Sequence, residues 1–124
     1  MTLEHLAQTV KALSEPIRLR IVHLLMQRDS LCVCDLMSIL NQGQSTISRH
    51  LNYLKQAGLV HHWREGTWMH YALLPEALTP LEAASLQQHL QRLPALKDDQ
   101  DALCAYETHP RQCERTHPSS LSAT

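Results

Sequence analysis

The chain has 124 residues, of which 44% are hydrophobic, and it carries a formal net charge of -1 at neutral pH. This length allows one domain with a hydrophobic core and excludes two full-sized domains. The amino-terminal segment lacks the features of a secretory signal, and no apolar run approaches the roughly 20 residues that a membrane helix needs. We therefore expect a cytoplasmic protein without a membrane partner. In that reducing compartment the four cysteines are expected to be thiols, catalytic groups or ligands rather than a disulfide framework.

The first two predicted elements are amphipathic helices. Apolar residues at spacings of three and four predict a short helix over residues 3–13. Pro16 suits the first turn of a second helix, which ends near Arg28. The core-facing stripe of this second helix consists of Ile17, Ile21, Leu24 and Leu25.

Two further helices are predicted around a tight turn. A short third helix runs from about Cys32 to Leu40, with Leu36, Ile39 and Leu40 predicted to face inward. The stretch "NQGQ" at 41–44 breaks its pattern with Asn and Gly. A fourth helix follows over residues 44–56, and Gly58 suits its end. Its inner side is predicted to carry Ile47, Leu51 and Leu54.

The second half of the chain begins with a predicted hairpin. Two β-prone runs, 59–64 and 67–74, surround the turn pair Glu65-Gly66. Residues 79–92 are predicted to form a last helix with a divided apolar surface, which has more than its own core to cover. Beyond it the polar, proline-containing segment 94–124 predicts a flexible tail, so residues 1–93 are the expected folded unit.

The outer side of the fourth helix carries short or forked hydrogen-bonding side chains near its start. Such side chains suit base edges and phosphates in a DNA major groove, although any surface helix exposes residues of these types. Two short helices joined by a glycine-containing turn and followed by a hairpin have the order of a winged helix-turn-helix domain. We therefore predict a mainly α fold with a β-hairpin wing, in which DNA is contacted by Gln44, Ser45, Thr46, Ser48, Arg49 and His50 of the helix and by Arg64 and Thr67 at the hairpin tip.

Four segments in fixed order carry a family resemblance, namely "ALSEPIRLRIVHLL", "LCVCDL", "QSTISRHLNYLKQAGLV" and "REGTWMHYALL". From about residue 3 to 92 the chain resembles the ArsR/SmtB family of bacterial metal-responsive repressors, in particular its arsenic-sensing branch. The resemblance implies a homodimer formed through the first and last helices, an operator read by the fourth helix, and release from DNA when the inducer binds. Two-fold symmetry then predicts a double-stranded operator that is an imperfect palindrome. No enzymatic activity is expected.

Cys32 and Cys34 stand one residue apart at the predicted start of the third helix. In a regular helix each residue advances about 100°, so these side chains would point about 200° apart and could not share one ion. Binding would require the helix start to unwind, which would couple an inducer to the DNA-reading unit. The resemblance implies that both cysteines bind As(III) or Sb(III), soft centres that prefer thiolate ligands. The alternative is that they are small buried hydrophobic residues.

The sequence leaves the third ligand open. Many members of the arsenic-sensing branch carry a further cysteine where this chain has Met37, and a thioether is a weak ligand for As(III). The candidates are Cys104 or Cys113, a small thiol such as glutathione, or no third sulfur at all. A zinc site formed by Cys104 and Cys113 with two tail histidines lacks a Cys-x-x-Cys pair, so we attribute that spacing to chance.

Two alternative functions compete with the metalloid-responsive repressor. One is a redox- or persulfide-responsive repressor in which Cys32 or Cys34 pairs with a tail cysteine. The other is a thiol-dependent arsenate reductase, which would need an anion-binding loop that the sequence around Cys32 lacks.

Overall fold

The computed structural model of the chain describes residues 2–81 and 83–108, without the side chains at 80, 83 and 84. The helices are α1 (Leu3–Ala12), α2 (Pro16–Gln27), α3 (Val33–Leu40), α4 (Gln44–Gln56), α5 (Ala83–Leu90) and α6 (Pro94–Thr108). The strands are β1 (Leu31–Cys32), β2 (Val60–Glu65) and β3 (Trp68–Leu73), and they form one antiparallel sheet in the order β1-β3-β2. No helix within the described ranges is long and apolar enough to cross a membrane.

The hydrophobic core is built on the apolar stripes of α2, α3 and α4, and α4 contacts both of the other helices. Ile21 and Leu24 of α2, Leu36 of α3, and Leu51 and Leu54 of α4 are each 0% exposed. Burying an aliphatic side chain of this size contributes about 1.5–3 kcal/mol. The stripes predicted for these three helices are confirmed.

The turn between α3 and α4 begins at a residue in the left-handed region. Asn41 has a φ of 54°, and its N–H donates to the Met37 carbonyl, which ends α3. Asn accepts this conformation more readily than most residues, so the turn is encoded locally. Gly43 returns to extended geometry and precedes the first residue of α4. The predicted helix-turn-helix is confirmed.

The hairpin pairs β2 with β3 from Val60 opposite Leu73 to Glu65 opposite Trp68, close to the predicted limits. The sequence did not predict the third strand, β1, because two residues are too few for a periodic pattern. In β1, Cys32 pairs with the buried His70 of β3. The segment that carries the first cysteine of the pair is thereby part of the sheet.

The carboxyl-terminal region departs furthest from expectation. The predicted helix over 79–92 is divided into a 3-10 turn, Thr79–Leu81, and α5. The predicted flexible tail is wrong for residues 94–108, which form α6 and pack against α2 and α3. Leu96 and Leu103, seven positions apart, are buried on one side of this helix, a stripe too narrow to stand out in a polar segment. Residues 109–124 lie outside the described ranges.

Candidate nucleic-acid interface and cysteine site

The start of α4 is open. Its N-cap is Gly43, in extended geometry, and among the described residues no side-chain hydrogen bond caps the first turn. The first N–H groups of a helix have no partner within the helix, so here they are left to solvent or to an external acceptor. Gln44 and Ser45, the first two residues of the helix, are exposed. This end of α4 therefore offers hydrogen-bond donors outward.

The structure brings six of the predicted DNA-contacting residues together on α4. Gln44, Ser45 and Arg49 are exposed, whereas Thr46, Ser48 and His50 are half-buried. The opposite side of the helix is buried in the core, so this polar side is the one available for contact. Within the described ranges no ion pair engages Arg49. DNA contact by these residues remains a prediction.

Arg18 of α2 anchors α4, a role that the sequence did not reveal. Its Nη1 lies 3.3 Å from His50 Nδ1, and its guanidinium carbon lies 4.0 Å from the centre of the Tyr53 ring. Its Nε donates to the Ala12 carbonyl over 2.7 Å. Burial, then the charges of Arg49 and Arg18, lower the pKa of His50, which suits a neutral ring that accepts from Arg18.

The two predicted wing residues lie at the tip of the hairpin. Arg64 is exposed near the end of β2, and Thr67 is exposed in the turn beside Gly66, which has a φ of 63°. The indole N–H of Trp63 donates to Glu65 over 2.9 Å and holds that carboxylate at the tip. The structure thus places Arg64 and Thr67 together, on an element separate from α4.

Cys32 lies before the helix and not inside it. It is the N-cap of α3, with φ -90° and ψ 165°, and it is 0% exposed. The expectation that Cys32 and Cys34 both occupy regular helical positions, about 200° apart, is therefore wrong. The pairing of Cys32 with β3 holds it in extended geometry, so α3 begins at Val33. The sulfur of Cys32 therefore lies at the N-cap of α3, and that of Cys34 lies in its first turn.

A reciprocal pair of hydrogen bonds closes the start of α3. The Asp35 N–H donates to Cys32 Sγ over 3.4 Å, and the Cys32 N–H donates to Asp35 Oδ2 over 2.9 Å. This is a capping box in which Cys and Asp replace the usual Ser/Thr and Glu. The Tyr106 hydroxyl of α6 donates to the other oxygen, Asp35 Oδ1, over 2.7 Å. The Cys-x-x-Asp spacing was a signal for the box, but no local pattern pointed to Tyr106.

The other cysteines occupy different settings. Cys34 is disulfide-bonded, contrary to the expectation that the cysteines are thiols or ligands. Cys104 is exposed on α6, 3.8 Å from the amide nitrogen of Gln100. Cys113 lies outside the described residues, and Met37 is half-buried against the core. Within the described ranges no group of three or more His, Cys, Asp or Glu residues could hold a metal ion.

Comparison with known proteins places this arrangement in a family. The sequence profile described as "Bacterial regulatory protein, arsR family" matches residues 15–62, which run from α2 through the first part of β2. A regulator described as "Uncharacterized HTH-type transcriptional regulator MJ1325", from Methanocaldococcus jannaschii, is 44% identical over 73 residues, which are 59% of this chain and 82% of that protein. The chain belongs to the ArsR family. This ArsR-family protein is a DNA-binding transcriptional repressor and not an enzyme.

Other relatives of this ArsR-family chain carry the names of resistance regulators. The "Arsenical resistance operon repressor" of Escherichia coli K12 is 47% identical over 68 residues, 55% of this chain and 58% of that protein. The "Cadmium resistance transcriptional regulatory protein CadC" of Listeria innocua is 44% identical over 61 residues, 49% of this chain and 51% of that protein. The chain thus matches little more than half the length of each.

Two solved structures share the fold of this chain. The NMR structure of a homodimeric winged helix-turn-helix domain from Mycobacterium bovis has a TM-score of 0.60 and 33% identity, with coverage of 74% of this chain and 87% of that one. The structure described as "Reduced HlyU" from Vibrio cholerae has a TM-score of 0.59 and 30% identity, with coverage of 73% and 90%. The predicted winged helix-turn-helix fold is confirmed.

Proposed function

We propose that this repressor binds operator DNA as a homodimer and is released when As(III) or Sb(III) binds the thiolates of Cys32 and Cys34. The observation that carries the proposal is the position of the two cysteines. Cys32 is the N-cap of α3, Cys34 lies in its first turn, and α3 leads through the turn at Asn41 directly into α4. The name of the Escherichia coli relative, an arsenical resistance operon repressor, supports the choice of inducer.

The ligand chemistry fits a pair of thiols, and it therefore requires the disulfide at Cys34 to be reduced. In arsenous acid each new As–S bond replaces a hydroxide, which leaves as water with the thiol proton, so two cysteines retain one As–OH group. Cys32 Sγ now accepts the Asp35 N–H, and a metalloid that also bonds the sulfur of Cys34 would draw Cys32 out of that position. The capping box would then be weakened and the start of α3 would move. Soft sulfur donors select such centres over Mg²⁺ or Ca²⁺.

We propose that two copies of the chain dimerise through α1 and α5. Both helices belong to the predicted folded unit of residues 1–93, and α6 extends that unit to residue 108. Leu3 and Val10, seven positions apart on α1 and therefore on one side of it, are 77% and 50% exposed and offer apolar surface that a second copy could cover. The homodimeric state of the Mycobacterium bovis domain is a parallel from that protein. Two copies of α4 related by a two-fold axis would read the halves of an imperfect palindrome, with Arg64 and Thr67 of each wing at the flanking backbone.

The test is a DNA titration under reducing conditions, with a duplex that the wild-type protein selects from a random pool. Saturating arsenite or antimonite is expected to weaken DNA binding. Cys32→Ser and Cys34→Ser should bind the duplex but stay bound in arsenite, while Cys104→Ser is the matched control on α6. DNA affinity that arsenite leaves unchanged would contradict the proposed inducer. Release by Cd²⁺ and not by arsenite would instead assign the cadmium response named for the Listeria relative.

Redox-responsive repression is a second candidate, favoured by the disulfide at Cys34. The structural relative from Vibrio cholerae is described as "Reduced HlyU", which names a redox state for that protein. If the bond regulates this chain, protein oxidised by peroxide or persulfide should lose DNA affinity and recover it with dithiothreitol, without arsenite. Mass spectrometry of the oxidised protein would identify the cysteine that pairs with Cys34, given that Cys32 and Cys104 are thiols in the structure. Equal DNA affinity of the oxidised and reduced forms would exclude this candidate.

A further inference from the structure

Helix α6 is fixed to the folded unit by specific contacts along its length. Leu96 and Leu103 are buried, and between them Asp99 receives both Nε and Nη2 of Arg20 over 2.9 Å. Such two-point carboxylate–guanidinium pairs have strict geometry, and Asp99 is only 3% exposed. Removing one partner would leave an uncompensated buried charge. The helix therefore has a defined position against α2.

The end of α6 meets two different partners. Glu107 pairs with Arg28 at the end of α2, with Nε 2.6 Å from the carboxylate. Tyr106, one residue earlier, reaches α3 and donates to Asp35. Neighbouring residues of one helix turn thus serve different contacts: one fastens α6 to α2, and the other reaches the capping box of the cysteine site. Substitutions at these two positions can separate the two roles.

The Asp35 carboxylate links Tyr106 to Cys32. One of its oxygens accepts from Tyr106 and the other accepts from the Cys32 N–H, while the Asp35 N–H holds the Cys32 sulfur. All three contacts form in the capped conformation of α3. When Cys32 leaves the N-cap position, the carboxylate loses the geometry that satisfies both donors. Tyr106 consequently stabilises the capped form over any form in which Cys32 has left the cap.

We propose that Tyr106 is a positioning residue of the cysteine site and that α6, through this hydroxyl, sets how readily the site opens to a thiophilic ligand. The inference rests on the proposed function, because it concerns the regulation of that same site. A contact that favours the capped state lowers the affinity of any ligand that needs the open state, by the factor through which it shifts the equilibrium. Tyr106 therefore sets the inducer threshold without touching the inducer.

The direction of the effect follows from that linkage. Tyr106→Phe removes only the hydroxyl and keeps the ring that packs against the core. Hydrogen bonds to charged groups are among the stronger ones, so we expect the open state to become about tenfold more populated, a change of about 1.4 kcal/mol. Cys32 should then react about tenfold faster with iodoacetamide, and half-maximal release from DNA should need about tenfold less arsenite. Glu107→Gln, the matched control, should leave both quantities unchanged.

The alkylation experiment uses the full, reduced chain without DNA or metalloid, and peptide mass spectrometry reads Cys32 separately from Cys34. Repeating it in low concentrations of urea separates local opening from unfolding, because only global unfolding exposes enough surface to depend steeply on denaturant. A faster, urea-insensitive reaction of Cys32 in Tyr106→Phe alone supports the inference. Equal rates in the two variants, or an increase that follows the urea dependence of unfolding, would overturn it.

The arsenite titration distinguishes this inference from the proposed function. If arsenite fails to release the wild-type protein, the proposed inducer is wrong, yet the alkylation rates still decide whether Tyr106 holds the cap. If arsenite releases wild type and Tyr106→Phe at the same concentration, the coupling through α6 is refuted and the metalloid site stands.

Discussion

The two helices of the DNA-reading unit begin in opposite ways. Helix α3 starts with a closed, buried box in which Cys32 and Asp35 satisfy each other's N–H groups. Helix α4 begins at Gln44 after the three-residue turn 41–43, and its N-cap, Gly43, provides no side-chain hydrogen bond, while Gln44 and Ser45 are exposed. The N–H groups at the start of α3 are capped by side chains of the chain itself, whereas those at the start of α4 are available to solvent or to an external acceptor.

The difference assigns separate tasks to adjacent helix ends. A closed cap whose acceptor is a thiol sulfur can be opened by a reagent that competes for that sulfur. An open helix start binds anions through its N–H groups and its dipole, as DNA phosphates require. The turn at Asn41 joins α3 directly to the start of α4, so a change at the first helix start is positioned to alter the second. Substitutions can nevertheless test each end by itself.

The largest expected effect comes from opening the closed end. Asp35→Ala removes the acceptor of both the Cys32 N–H and the Tyr106 hydroxyl, and buried donors left without acceptors cost about 1–3 kcal/mol each. We expect the free energy of unfolding to fall by roughly 3 kcal/mol. Urea denaturation measures it, with the exposed Ser38 of the same helix, changed to Ala, as control. A loss no greater than that of Ser38→Ala would mean that the box does not stabilise α3.

The next effect concerns the open end and its exposed cation. Arg49→Ala should weaken operator binding by about 1–3 kcal/mol if Arg49 contacts a base edge. If Arg49 contacts a phosphate instead, binding should weaken on all sequences and the salt dependence should fall by roughly one counterion. Titrations at several salt concentrations separate the two cases. Lys55→Ala, exposed at the far end of α4, should change neither quantity, and equal losses would mean that contact is not confined to the helix start.

Much of the fold could be predicted because its information is local. The stripes of α2, α3 and α4, the turn at Asn41 and the hairpin around Gly66 all depend on residues close in sequence, and each is found where predicted. Helix α6 could not be predicted in the same way. It is stabilised by contacts such as Arg20–Asp99 that span 79 positions, and its own residues look like those of a solvated tail.

The candidate site divides along the same line. The polar residues of α4 were identified from a helical pattern, and the helix holds them together as that pattern requires. The geometry of Cys32 could not be identified in this way, because its extended conformation comes from pairing with His70 in β3, far along the chain. Arg18 and Tyr106 were missed for the same reason, since each acts through a contact with a distant element.

A smaller loss of stability is expected on acidification, and it comes from His23 of α2 and His50 of α4. Burial lowers the pKa of His23, partly offset by Asp99, and burial with the charges of Arg49 and Arg18 lowers that of His50. The unfolded chain therefore binds these protons more readily, so stability is complete above about pH 6.5 and decreases as the pH falls below it.

Urea midpoints between pH 7.5 and 5.5 measure this dependence. His23→Gln and His50→Gln should each flatten it, since each removes a group whose proton affinity differs between the two states. His89→Gln, on the exposed surface of α5, is the control. If neither substitution changes the pH dependence, that dependence arises from other groups. The contact between Arg18 and His50 would then not contribute to the stability of α4 against α2.

The smallest effect on stability comes from closing the open end of α4, and it tests the comparison most directly. A Cβ at Gly43 would meet nothing within 4 Å, and the backbone there is already extended, as an N-cap requires. Gly43→Ser should therefore stabilise the protein by a few tenths of a kcal/mol, because its hydroxyl can accept from the first turn. Gly43→Ala adds the same Cβ without an acceptor and controls for bulk.

If DNA phosphate uses those N–H groups, Gly43→Ser should weaken operator binding more than Gly43→Ala. It should at the same time have the higher urea midpoint of the two variants. Ser and Ala variants with equal DNA affinity would show that the open end of α4 is not a phosphate contact, and the contrast with α3 would then concern stability alone.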